Sequence, residues 1–185
     1  MDGINGITGG YSLVILGALA YINSKIITFV EPDLIYTVLC SVFVFCFFNF
    51  RKKAKCFAGD VGSVSIAFIL LFLIGRLIIK TDDFSWIILL SVYGVDSVLT
   101  IIHRLMLHEN IGLPHRKHMY QLMANELKMP HVMVSLIYMV VQAIIIIGYI
   151  GCLNYGYIFL LGVILLLSFI YIWFMKKYFS LHQKV

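Results

Sequence analysis

Four polar segments of this 185-residue sequence carry side chains that could hold phosphate or a divalent cation. The first is Met1–Gly10, with Asp2, Asn5 and four glycines. Glycine lets backbone approach a ligand closely and present N–H groups, and the same composition suits a mobile N-terminus. The second runs from Asn49 to Ser63. Asp60 sits there between Gly59 and Gly62, after Arg51, Lys52, Lys53 and Lys55. A carboxylate at a membrane surface suits Mg²⁺, which prefers carboxylate plus phosphate oxygens. Asp60 equally suits the first turn of a helix, and the four cations suit either phosphates or plain membrane anchoring. In the third, Asp96, Thr100 and His103 follow i, i+4, i+7 spacing and share one helix face. An unpaired Asp in an apolar span costs about 2.5–3.5 kcal/mol, so Asp96 reads as functional or as paired with Arg104 or another helix. The fourth, Gly112–His118, places His115 and His118 around Arg116, beside Pro114. Those donors suit a phosphate or pyrophosphate, or a solvated basic loop; they make a poor zinc site without nearby thiolates or carboxylates.

The elements that must position these groups are membrane spans. The chain is 62% hydrophobic and 12% charged, with a mean hydropathy of +0.99. A soluble domain is about half apolar and about a quarter charged. The composition argues against a water-soluble globule and against disorder. Apolar stretches lie at 10–30, 33–50, 61–80, 84–104, 131–151 and 155–175. About 20 helical residues cross a bilayer core, so the fold class expected is all-α: a polytopic transmembrane helix bundle of six spans, one integral membrane domain over 1–185. Asn23, Ser24 and Lys25 weaken the first stretch, which is expected to end near Ile22 and continue along the interface. Gln142 and Asn154, within 131–175, carry no motif and are assigned to packing.

Alternating spans put the N-terminus, 51–60, 105–130 and the C-terminal tail on one side. That side holds 11 of the 14 Lys+Arg, which marks it as cytoplasmic and puts every candidate group there. The net charge of +5 then reflects helix anchoring, and no nucleic-acid motif accompanies it. The four cysteines show no CxxC spacing and imply neither a disulfide framework nor a zinc site. The start lacks a basic n-region, so no cleavable signal is expected.

Together the segments resemble one family, the polyprenyl-phosphate N-acetylhexosamine-1-phosphate transferases, which include the bacterial UDP-N-acetylglucosamine:undecaprenyl-phosphate transferases and the muramoyl-pentapeptide translocases. Asp2-Gly3-Ile4-Asn5-Gly6-Ile7 is similar to the family's Asp-Gly-Ile/Leu-Asp-Gly-Leu loop. Asn49-Phe50 through Lys55, Phe57, Gly59-Asp60 and Gly62-Ser63 look like its Asn-Phe…Ala-Lys-hydrophobic-Phe-Met-Gly-Asp-x-Gly-Ser segment. Asp96-Ser97, Thr100, His103-Arg104, Pro114-His115-Arg116 and His118 resemble its Asp-Thr…Thr…Arg-Arg…Pro-His-Arg-x-His segment. The resemblance implies transfer of a sugar-1-phosphate from a UDP-sugar to undecaprenyl phosphate, for cell-wall or surface polysaccharide synthesis. It implies a multi-pass protein of the bacterial inner membrane, with its site facing the cytoplasm. Asp2, Asp60 and Asp96 would form the catalytic set. Asp60 would hold Mg²⁺, with Mn²⁺ as the alternative ion. Phe57 would stack on uracil, Asn5 and Asp2 would lie near the nucleotide, and Lys55, His115, Arg116 and His118 would bind substrate. Asp96 would sit at the mouth of the cleft.

The chain departs from the pattern. Asn5 stands for the second Asp of the first motif, a Lys replaces the Pro before Ala-Lys, and Tyr120 stands where a further His often follows. The family's first half, with its paired Asp-Asp motif, has no counterpart here. Asp82-Asp83 lies on the opposite side and cannot replace it. The expectation is a truncated gene model, an internal start or one half of a split protein, with a missing N-terminal half or a second copy as partner. Two other readings stand beside the enzyme: an inactive fragment, and a transporter, which would spread its polar residues along the spans.

Overall fold

The computed structural model describes residues 3–110, 112 and 116–182. Six helical segments are long and apolar enough to cross a membrane: Ile7–Lys25, Pro32–Asn49, Gly59–Thr81, Phe84–Met106, His131–Gly151 and Leu153–Tyr178. Among the described residues there is no strand. The helices are α1 (Ile7–Lys25), α2 (Pro32–Asn49), α3 (Gly59–Thr81), α4 (Ser91–Met106), α5 (Met119–Asn125), α6 (His131–Gly151) and α7 (Gly156–His182). The fold is the all-α polytopic bundle that the hydropathy pattern predicts. One element was not foreseen. The short α5 lies inside the polar stretch 105–130, where apolar periodicity is too brief to announce a helix.

Helix α1 is the axis of the bundle and packs against α2, α3 and α6. Its small residues explain the fit. A Cβ at Gly9 would lie 2.5 Å from Cys46 Sγ on α2, and one at Gly10 would lie 2.5 Å from Met139 Sδ on α6. Lipid is as apolar as any side chain, so close backbone approach is what holds such helices together. Helix α1 runs through Lys25 rather than ending at Ile22. Asn23 does not interrupt it: the side chain is buried and folds the following turn, accepting from the N–H groups of Phe29 (2.9 Å) and Val30 (3.2 Å).

The fourth span is built in two parts. A 3₁₀ helix over Phe84–Leu90 gives way to α4 at Ser91. A change of helix type strands backbone groups, and hydrocarbon offers them no partner. Gln142 on α6 supplies it. Its amide Nε2 donates to the Ile88 carbonyl (3.0 Å). Its Oε1 accepts from the Val92 N–H (3.2 Å), Ser91 Oγ (3.4 Å) and the Tyr11 hydroxyl (2.7 Å). Gln142 therefore does more than pack; it ties α1, α4 and α6 at the point where the fourth span changes form.

Replacing Gln142 with Leu leaves the Ile88 carbonyl and Val92 N–H without that partner, at about 1–3 kcal/mol for each buried group. We expect Gln142→Leu to lower the thermal unfolding midpoint in detergent, while Ile144→Leu on the lipid face leaves it unchanged. Equal midpoints for the two variants would refute the capping role.

Candidate active site

The first motif turns into α1 at Gly6, whose φ of +86° suits glycine. A Cβ there would also lie 2.4 Å from Cδ2 of Phe50. The Gly6 N–H donates to Asn49 Oδ1 (2.8 Å), and Asn49 Nδ2 donates to the Cys56 carbonyl (2.8 Å). Asn5 makes the second link. Its Nδ2 donates to the carbonyls of Arg51 (3.1 Å) and Lys52 (3.4 Å). Its own N–H donates to His131 Nδ1 (3.4 Å), and its carbonyl accepts from Ser135 Oγ (2.9 Å). The first motif is thus clamped between the second motif and the start of α6.

In the second motif Arg51 is turned back on α2. Its Nε donates to the Phe47 carbonyl (2.7 Å), and its guanidinium lies 4.8 Å from the Phe47 ring centroid. This satisfies a carbonyl of the last helical turn. Lys52, Lys53 and Lys55 are exposed. So is Phe57, at 70%, on the edge of a cavity of about 300 Å³ between α1, α2 and α3 that Thr8, Ser12 and Gly62 also line. Asp60 is exposed in the first turn of α3, where a carboxylate complements the helix dipole. Its carbonyl accepts from Ser63 Oγ (3.1 Å).

The third motif centres on Asp96, which is only 2% exposed. Its Oδ2 accepts from the Tyr138 hydroxyl on α6 (2.8 Å). Its Oδ1 accepts from the Met119 N–H (3.0 Å), at the first residue of α5, and from Thr100 Oγ1 (3.2 Å). Thr100 in turn hydrogen-bonds the Tyr171 hydroxyl on α7 (2.8 Å). His118, which precedes α5, has its Nδ1 3.5 Å from Asp96 Oδ1 and its ring stacked on Tyr120, centroids 5.4 Å apart. Asp96 is therefore a satisfied buried acceptor joining four helices, rather than a group open at the mouth of a cleft. Its partners are Tyr138, Thr100 and the Met119 N–H, while Arg104 pairs with Glu109.

Arg104 is buried and contacts Glu109 (3.3 Å) and the Asn110 carbonyl (2.5 Å); Glu109 also meets Lys117. Lys117, and then Arg104, hold the Glu109 carboxyl below the usual carboxylate range. The tie between the end of α4 and the segment before α5 is thus intact at neutral pH. It is lost only as pH falls through that lowered value. Arg116 is exposed.

Of the residues singled out from sequence, Asp2 and His115 lie outside the described residues. Asn5 joins the basic loop, and Asp96 joins His118. Asp60, Lys55, Phe57 and Arg116 are exposed side chains. Among the described residues no group of three His, Cys, Asp or Glu could hold a metal. Asp60 offers a single carboxylate, which fits Mg²⁺ bound mainly through water and substrate phosphates and does not fit a caged structural ion. Sequence reading missed Tyr138, Ser135, His131 and Glu109. A Tyr in an apolar span gives no sign of its partner, and Glu109 belongs to no motif.

Residues 1–78 match glycosyl transferase family 4. The chain is 31% identical over 125 residues, 65% of its own length, to the probable undecaprenyl-phosphate N-acetylglucosaminyl 1-phosphate transferase of Bacillus subtilis (strain 168). It spans about a third of that relative, 34%. No solved structure matches. The matched 78 residues contain the first two motifs, and the likeness to that family rests on them.

Asp96→Ala removes three hydrogen bonds to a buried carboxylate, each worth about 1.5–3 kcal/mol. We expect amide hydrogen exchange across residues 119–125 to accelerate in Asp96→Ala and in Tyr138→Phe to a smaller degree. Unchanged protection of α5 in Asp96→Ala would disprove the anchoring role.

Proposed function

We propose, for a chain related to the polyprenyl-phosphate sugar-1-phosphate transferases, that it transfers a sugar-1-phosphate from a UDP-sugar to undecaprenyl phosphate. An oxygen of the lipid phosphate attacks the β-phosphorus of the UDP-sugar. The bond from that phosphorus to the bridging oxygen breaks, UMP leaves with the electron pair, and a lipid-linked pyrophosphoryl sugar forms. The sugar we favour is an N-acetylhexosamine. The observation that carries this reading is the joining of separate motifs at one end of the bundle. Asn5 and Gly6 of the first bond to residues 49–52 of the second, and Asp96 bonds to the N-terminus of α5 just after Arg116 and His118.

The nucleophile is already anionic at neutral pH, so the work is positioning and charge neutralisation. Mg²⁺ bound at Asp60 would neutralise charge on the diphosphate and screen the two anions from each other. Phe57 offers an exposed planar face for uracil. Lys55, Arg116, His115 and His118 supply donors to the pyrophosphate. Asp2 lies in the same motif as Asn5, near the nucleotide. Asp96 acts from beneath, by holding α5. The site faces the cytoplasm on this reading, because the end of the bundle that carries it bears most of the Lys and Arg. The location suits one soluble substrate and one whose phosphate lies at the membrane surface.

The test uses the complete gene product in membranes supplied with undecaprenyl phosphate, Mg²⁺ and a radiolabelled UDP-N-acetylhexosamine. We expect extractable lipid-linked label and equimolar UMP, and a fall of about 100-fold or more in Asp60→Ala. Near-normal turnover in that variant would remove Asp60 from the metal. UMP release from no UDP-sugar would overturn the reaction.

A further inference from the structure

The family pattern has a carboxylate where this chain has Asn5, and an amide reads at first as a weakened nucleotide contact. The geometry points to a different role. We propose that Asn5 is a positioning residue, an amide latch that holds the basic loop after α2 so that its lysines face the diphosphate. This rests on the transferase reading above.

Asn5 Nδ2 donates to two backbone carbonyls, those of Arg51 and Lys52, at 3.1 and 3.4 Å. Only a donor can answer two carbonyls. A carboxylate of the same shape would put oxygen against oxygen there, with lone pairs opposed and no proton between them. The residue is fixed from behind as well, by its N–H to His131 Nδ1 and its carbonyl to Ser135 Oγ, so the side chain has a rigid base. The carbonyls it holds belong to the segment that carries Arg51, Lys52, Lys53 and Lys55. Arg51 is engaged by the Phe47 carbonyl and ring. Lys52, Lys53 and Lys55 are exposed and remain for an anionic ligand. A loop with three exposed lysines repels itself, and a latch to its backbone fixes it without using any of their charge. Asn49 completes the closure from the other side, through the Gly6 N–H and the Cys56 carbonyl. Asn5 thereby acts on the diphosphate through the loop and does not touch it.

Cys56, half-buried in that loop, is a native reporter. The full chain is labelled in membranes with a maleimide, read at Cys56 by peptide mass spectrometry, in wild type, Asn5→Asp and Asn5→Ala. Transferase assays on the same membranes give KM for the UDP-sugar and kcat. We expect Cys56 to label more than roughly fivefold faster in Asn5→Asp, since opposed oxygens add to the factor for about one net hydrogen bond lost. KM should rise severalfold with a smaller change in kcat, and Asn5→Ala should shift both readings less, because it adds no repulsion. A variant that simply folds less well would lower the amount of active enzyme and leave KM alone. A raised KM with unaltered Cys56 labelling would mean direct nucleotide contact and overturn the latch, as would labelling unchanged in both variants. If wild type turns over no UDP-sugar, the transferase reading fails, while the labelling still decides whether the latch exists.

Discussion

Every polar group inside this bundle must be answered by another part of the protein, because hydrocarbon answers none. Gln142 and Asp96 are where that constraint is met. Gln142 supplies a donor and an acceptor to the backbone where the fourth span changes from 3₁₀ to α-helix. Asp96 supplies acceptors to a hydroxyl on α6, a hydroxyl on its own helix and a backbone N–H of α5. Neither interaction is exchangeable for apolar packing while its partners remain polar. The two together set how α1, α4, α5 and α6 sit against one another, and that arrangement brings the motif loops together.

A buried carboxylate that accepts three hydrogen bonds has little left for a ligand. Asp96 can be indispensable without touching substrate: α5 begins on it, and His118 lies directly before α5. The connection extends through Thr100 to Tyr171 on α7, the least buried of the spans. The last span, which carries no motif, is in this way tied to the segment that does. The polar groups within the spans pair with one another locally.

The spans were legible because hydropathy is a local property: about 20 apolar residues in a row need no knowledge of the fold. The shared face of Asp96 and Thr100 was legible from helical spacing alone. What was hidden was pairing. Tyr11 and Gln142 stand 131 positions apart, and Asp96 and Tyr138 stand 42 apart; nothing in either local sequence names the other. Helix α5 was hidden because seven residues are too few to show a period, and its start depends on an acceptor from another helix. Asn5 was legible as a departure from a motif. Its meaning was not, since the two carbonyls it binds become neighbours only after α1 and α2 have packed. For Asp60 and Arg116 the fold adds exposure but, among the described residues, no side-chain partner that would define a role.

The first two motifs behave as one physical unit, although more than forty residues separate them. Gly6 has no Cβ, and the space a Cβ would need is filled by the ring of Phe50. The same Gly6 gives its N–H to Asn49, the neighbour of that Phe, and Asn49 gives its own amide to Cys56 at the far end of the loop. A side chain at position 6 would displace Phe50, and displacing Phe50 would move Asn49, so residues 3–6 and 49–56 cannot be ordered independently. Two loops on separate spans would otherwise each lose conformational entropy on meeting a ligand. Joined through Gly6, Asn49 and Asn5, they incur most of that loss on folding. A preorganised rim is what the proposed transfer, governed by position and charge, would require.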